Sequence, residues 1–232
     1  MGLRNLKVLA LIPARSGSKG IKNKNMYPIN RRYLIDFTLE AAISSSFVDH
    51  VYVSSDSKKI LDHAEENLAL PVQRPSKFSK DTSTASEVIY HFYDFLISND
   101  LIERREDFYL SYLQPTSPLR NSKILDESFS ALEKSNMDCL ISLVKDKQTP
   151  FKSFLIKDGL VQSLFKESDT NKNRQDLQPT YRANGAIYTF LISDFLRNKG
   201  FPSNASIPFI MSEEESLDID SYEDLDTLKS RL

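Results

Sequence analysis

The segment from Leu9 to Asn25 constrains this chain more than any other. An apolar run, Val8 to Ile12, stops abruptly at Pro13 and gives way to a loop holding Arg15, Lys19, Lys22 and Lys24 among Gly17, Gly20 and two serines, Ser16 and Ser18. A short apolar run bounded by proline and glycine reads as a buried strand. The glycines allow tight turning and let backbone N–H groups be presented, while the cations supply charge. Together they suit a polyphosphate. The Gly-Lys-Ser/Thr ending of a Walker loop is absent. On composition alone the same loop reads equally well as a solvated connection.

The rest of the chain predicts an α/β domain. Ile35, Leu39 and Ala42 give Tyr33–Ser46 a helical spacing, and Val51–Ser54 is a short strand whose following Ser55-Asp56 can cap a helix from Lys58 to about Asn67. Leu70–Gln73 reads as extended, and Thr84-Ala85-Ser86-Glu87 has capping-box spacing before the apolar stripe Val88, Ile89, Phe92, Phe95 and Leu96. Phe108–Leu113 is a strand, Ser122 to about Ser135 a helix, and Met137–Leu143 a strand. Such alternation predicts a mostly parallel, doubly wound sheet with the loops after its strands along one rim, where ligands bind.

The pattern changes between about residues 144 and 180. Phe154–Val161 looks like a hairpin turning at Asp158-Gly159, and the polar stretch Lys166–Asn173 reads as a flexible loop. Alternation resumes at Ala186–Thr189, followed by a short helix near Ser193–Arg197, a strand through Ile207–Met211 and a helix from Tyr222 to Leu232. The expectation is one domain over residues 1–232 with a single excursion.

Charge excludes some classes. Thirty basic and 32 acidic residues leave a net charge of −2, so no global field recruits nucleic acid or an anionic membrane. No apolar run approaches the ~20 residues of a membrane-spanning helix. The first residues lack the apolar core and cleavage site of a signal peptide, which predicts a cytoplasmic protein. Cys139 stands alone in an apolar segment and reads as a buried structural thiol; His50, His63 and His91 lack metal-ligand spacing.

Several residues could carry chemistry. In Asp218-Ile219-Asp220 an extended backbone would turn both carboxylates to one face and Ile219 to the core, a hard-oxygen pair suited to Mg²⁺ shared with substrate phosphates. The plain alternative is a polar rim before a helix capped by Ser221. Gln114 enters a double-proline loop that would hold its amide rigidly, though the prolines alone favour a structural turn. Arg174 and Arg182 could fork a carboxylate, or be ordinary surface charges.

Four blocks in order, nearly end to end, resemble the CMP-sialic acid synthetases (N-acylneuraminate cytidylyltransferases). They are Ala14-Arg15-Ser16-Gly17-Ser18-Lys19-Gly20 with Lys24-Asn25, Gln114-Pro115-Thr116-Ser117-Pro118-Leu119-Arg120, Arg182-Ala183-Asn184-Gly185-Ala186-Ile187-Tyr188, and Asp218-Ile219-Asp220. Arg74-Pro75 with Asp81-Thr82-Ser83 resembles the same family's nucleotide-side loop. The resemblance implies a Rossmann-like nucleotidyltransferase fold and transfer of CMP from CTP to the anomeric hydroxyl of N-acetylneuraminic acid, with pyrophosphate released. It implies nucleotide contacts from Ala14, Arg15, Ser18, Lys19, Lys24, Asn25, Arg74 and Ser83, with Arg15 and Lys19 taking part in catalysis. Asp218 and Asp220 would hold Mg²⁺ or another divalent cation such as Mn²⁺ and complete the catalytic set. Sugar contacts would come from Gln114, Arg174, Arg182 and Asn184, and a homodimer would form through the excursion. Lys22 lies outside the match and reads as solvated. Ala183 departs from the family pattern, where proline is common. The same chemistry on legionaminic, pseudaminic or 3-deoxy-octulosonic acid stays open, as does a nucleotide-binding regulatory subunit without turnover.

Overall fold

The computed structural model describes residues 3–18, 20–201 and 205–232. Its first strand, β1 (Val8–Pro13), is followed by a two-stranded ribbon, β2 (Pro28–Ile29) and β3 (Arg32–Tyr33), and by helix α1 (Leu34–Ile43). Then come β4 (His50–Ser55), α2 (Lys58–Glu66), β5 (Leu70–Gln73), α3 (Ala85–Ser98), β6 (Tyr109–Tyr112), α4 (Ser122–Lys134) and β7 (Cys139–Lys145). The excursion holds the hairpin β8 (Phe154–Lys157) and β9 (Leu160–Ser163) with a short helix, α5 (Glu167–Thr170). The chain returns through β10 (Tyr181–Leu191), α6 (Ile192–Asn198), β11 (Ile207–Met211) and α7 (Tyr222–Arg231).

Among the described residues, seven strands form one sheet in the order β11-β7-β10-β6-β1-β4-β5. All neighbours are parallel except β10, which runs antiparallel to both β6 and β7. β1 shows why the sheet is covered on both faces. Its residues alternate between sides: Val8, Ala10 and Ile12 pack with Ile35, Leu39 and Phe129 of α1 and α4, while Leu9 and Leu11 pack with Val88, Ile89 and Phe92 of α3. A strand apolar on both faces needs helices on both, so the doubly wound, mostly parallel fold expected from the alternation is the one found.

The chain begins helices where capping chemistry favours it. The Thr84 hydroxyl accepts the Glu87 amide at 3.2 Å while Glu87 accepts the Thr84 amide at 2.7 Å, the reciprocal pair foreseen from spacing. Ser221 and Asp224 make the same pair before α7. Strand order reverses between β4 and β6 on either side of β1, which opens a crevice beyond the carboxyl ends of those strands.

Two expectations need correcting. Lys166–Asn173 is not a loosely organised loop: α5 forms within it, and Asp169 is buried and ion-paired to Lys172 at 2.7 Å. The short strand at Ala186–Thr189 is the second half of an eleven-residue strand. Its register on β7 shifts between Ala183 and Tyr188, and at Gly185 the backbone takes φ +77°. A Cβ on Gly185 would lie 2.5 Å from Gln114 Oε1. Gly185→Ala therefore combines a left-handed conformation with a close approach, and we expect it to remove about 1–3 kcal/mol of stability in urea unfolding.

Candidate functional site

A pocket of about 330 Å³ sits in the crevice beyond β1 and β6. It draws Arg15, Ser18, Lys24 and Asn25 from the loop after β1, Arg74 and Ser83 from the segments after β5, Gln114 from the loop after β6, and Asp218 and Asp220 from the segment before α7. Nine of the residues singled out from the sequence thus line one pocket. Ala14 does not: it is buried beneath the loop, its amide donating to the Ser54 carbonyl at 2.9 Å. Lys19 lies outside the described residues. Lys22 is exposed, as expected.

The loop after β1 is held by its neighbours. Asp56 accepts both the amide and the hydroxyl of Ser16, at 2.8 and 2.7 Å. Partial burial would raise the Asp56 pKa, but those two bonds and the nearby Arg74 charge prevail, so it lies below the ordinary carboxylate value. Asn25 is buried and donates to the Arg15 carbonyl at 2.9 Å. Sequence reasoning gave Asp56 only a helix-capping role. Arg15 itself pairs with Asp81 at 2.5 Å across the pocket mouth.

Arg74 is the charge most in need of a partner. It is only 4 % exposed, yet its Nε and one terminal nitrogen have no hydrogen-bond partner among the described residues. Burial pushes its pKa down, while Asp56 and Tyr112 oppose that shift. A buried guanidinium lining a pocket with donors unmet is a ready receptor for an anion or for carbonyl oxygens.

The acidic pair is fastened from several sides. The Ile219 amide donates to the Thr116 carbonyl at 2.9 Å, and Lys24 Nζ donates to the Ile219 carbonyl at 2.7 Å and to Asp220 at 3.0 Å. Ile219 is fully buried with Ile21, Leu225 and Leu228, while the two aspartates stay on the pocket side, as an extended segment requires. Crowding by protein raises the Asp218 pKa; a bond to Thr116 works against this and the Asp220 charge adds to it. Two hard carboxylates lining one pocket suit a divalent cation. Among the described residues no group of three or more potential ligands exists, so phosphate oxygens and water would complete such a shell.

The expected sugar-side residues separate. Gln114 lines the pocket. Arg182 is exposed and pairs with Asp146 at 3.1 Å, and Arg174 borders a second depression, of about 390 Å³, that also contains Asp146. Asn184 is buried under the wall. Its amide nitrogen donates to Ser216 Oγ at 2.9 Å and its oxygen accepts from Ser142 Oγ at 2.6 Å and the Ala186 amide at 3.2 Å. With its hydrogen bonds spent internally, Asn184 braces the β10 irregularity against the loop leading to Asp218.

Loss of the Asp56 charge has a predictable sign. A lowered folded-state pKa contributes stability that is complete above the unfolded carboxylate pKa and is lost as pH falls through the folded value. Asp56 is partly exposed, so screening limits this to about 1 kcal/mol. Urea unfolding of Asp56→Asn should show that loss at pH 7 and a smaller decline than the parent on acidification.

A family model described as Cytidylyltransferase matches residues 9–225. The N-acylneuraminate cytidylyltransferase of Streptococcus agalactiae serotype V is 33% identical over 221 residues, covering 94% of this chain and 52% of that protein. The chain thus spans about half the length of such relatives. The CMP-N,N'-diacetyllegionaminic acid synthase of Legionella pneumophila is 31% identical over 220 residues, covering 93% of this chain and 92% of that protein. In fold, the chain is similar to a CMP:2-keto-3-deoxy-manno-octonic acid synthetase solved with CTP, with a TM-score of 0.68, 14% identity and coverage of 97% and 98% of the two chains.

Proposed function

The chain belongs to the cytidylyltransferase family, and from that premise we propose that it transfers CMP from CTP to the anomeric hydroxyl of N-acetylneuraminic acid. The sugar oxygen bonds to the α-phosphorus, the bond from that phosphorus to the pyrophosphate oxygen breaks, and the hydroxyl proton is lost. The observation that carries this reading is convergence: Arg15, Lys24, Arg74, Gln114, Asp218 and Asp220 come from separate segments to one pocket.

Each part has a physical role in that reaction. Arg15 exchanges Asp81 for phosphate oxygens, and with Lys19 it stabilises charge developing on departing pyrophosphate. Ser18, Lys24 and Asn25 shape the phosphate loop, with Ala14 buried as its base. Arg74 and Ser83 serve the nucleoside end, where the unmet guanidinium donors find carbonyl or hydroxyl oxygens. Asp218 and Asp220 would hold Mg²⁺ or Mn²⁺, and the ion would supply positive charge against the phosphate oxygens. Gln114 reads the acceptor through both ends of its amide. Arg174 and Arg182, grouped at Asp146 outside the pocket, reach the acceptor only through an extended or two-subunit site. Asn184 supports that side from beneath.

A relative named for diacetyllegionaminic acid favours the same chemistry on that sugar as the second reading. Pyrophosphate release with each nucleoside triphosphate against N-acetylneuraminic, legionaminic, pseudaminic and 3-deoxy-octulosonic acids separates them. CTP with N-acetylneuraminic acid alone is the expected outcome; turnover only with another acceptor changes the sugar, and CTP binding without turnover points to a regulatory subunit. Asp220→Asn should lower turnover at least ~100-fold with an unchanged unfolding midpoint, since its side chain is 78% exposed and packs little.

Homodimerisation is part of the proposal. Phe154, Leu155, Ile156, Leu160 and Val161 of the β8–β9 hairpin are all more than half exposed, together with Leu164 and Phe165 nearby at 44% and 49%. A two-stranded ribbon is marginal alone, and large apolar side chains exposed on both of its faces call for a partner. A second copy fits, because both copies would bury the same surface. Light scattering should show a dimer that Ile156→Asp converts to monomer.

A further inference from the structure

The loop after β6 ends in a charge that the pocket itself does not use. Arg120 is 1% exposed, and among the described residues no carboxylate pairs with it. Burial pulls its guanidinium pKa down to about 9, which still leaves it cationic at neutral pH. Burying a guanidinium without an opposing charge is expensive, and an apolar side chain would fill the volume at lower cost. Packing alone therefore does not account for it.

Its hydrogen bonds do. Arg120 Nη1 donates to the Ala186 carbonyl at 2.6 Å and to the Gln114 carbonyl at 3.3 Å, while Nη2 donates to the Thr38 hydroxyl of α1 at 2.6 Å. Two carbonyls cannot bond each other; bringing them together in a dry interior needs a donor between them. One nitrogen of Arg120 supplies it, and Thr38 fixes the other prong of the fork. The consequence reaches the pocket through Gly185. A Cβ there would lie 2.5 Å from Gln114 Oε1, so the Gln114 carboxamide rests directly on the Gly185 backbone. The root of Gln114 and the seat of its amide are thus tied to the same guanidinium.

We propose that Arg120 is a positioning residue for acceptor recognition: by joining the Gln114 and Ala186 carbonyls it sets where the Gln114 carboxamide stands in the pocket. The inference rests on the reading above in which Gln114 faces the acceptor sugar. Lysine at this position would keep the charge and lose the planar fork. Thr38→Val, isosteric, fully buried and on α1 behind the pocket, would free one prong without altering any pocket residue.

The test uses Thr38→Val, Arg120→Lys and Arg120→Met, with two readouts. The first is the Gln114 side-chain amide resonance, assigned by its disappearance in Gln114→Ala, which needs no substrate. The second is the split between acceptor and CTP KM. We expect the resonance to move in Thr38→Val and Arg120→Lys. Acceptor KM should rise about tenfold, the scale of one charge-assisted hydrogen bond, with CTP KM changed less than about twofold. Should Arg120→Met fail to accumulate as folded protein, the other two variants carry the test. An unmoved resonance, or equal changes in both KM values, overturns the proposal. A moved resonance in variants whose acceptor KM, like that of Gln114→Ala, matches the parent overturns the acceptor-side reading and leaves only the clamp.

Discussion

The charged pocket depends on an uncharged contact. Ile21, just beyond the cationic Gly/Ser loop, and Ile219, between the two aspartates, are fully buried in one small core with Leu34, Leu225 and Leu228. The two segments are nearly two hundred residues apart, and neither could hold a cationic loop against an acidic one by charge alone, because surface ion pairs are weak. Apolar burial does it, at roughly 25 cal/mol per Å² removed from water. The approach is close enough that a Cβ on Gly20 would lie 2.5 Å from the Asp220 carbonyl oxygen. Glycine at that position follows from packing as much as from the turn.

A second constraint comes from the strand that breaks the parallel pattern. β10 pairs Tyr188 with Tyr112 and Leu191 with Tyr109, so its beginning lies beyond the carboxyl end of β6. A parallel strand would have brought its end to that rim; an antiparallel one brings its start, with Gly185 and the braced Asn184. The irregularity on β7 then leaves backbone groups that a regular ladder would have paired. The Ser142 hydroxyl takes the Ile187 amide at 2.7 Å, Asn184 takes the Ala186 amide, and Arg120 takes the Ala186 carbonyl. Polar side chains here substitute for the missing strand partner.

Much of this was legible in the sequence because local rules were obeyed. The capping box at Thr84–Glu87, the Ser221 cap and the apolar runs of β1 and β4 each obeyed a short-range rule, and three of the four blocks that carry the resemblance contribute to one pocket, while Arg182–Tyr188 does not. What escaped was non-local. Arg-Ala-Asn-Gly is too polar and too irregular to read as strand, so β10 looked shorter than it is. Asn184 has the chemistry of a ligand contact, and only its partners 32 and 42 residues away show its donors and acceptor engaged. Arg120 looked like the tail of a motif, since nothing local reveals that Ala186 and Thr38 surround it. Asp56 was expected to cap α2, but the N-cap there is Ser57, without a side-chain bond, and Asp56 instead accepts from Ser16.

Arg74 has an effect on the protein before any reaction begins. A ligand that satisfies the two Arg74 nitrogens without partners among the described residues, and that binds the native state and not the unfolded chain, stabilises the fold by mass action. If the proposed nucleotide is that ligand, its concentration sets the melting temperature.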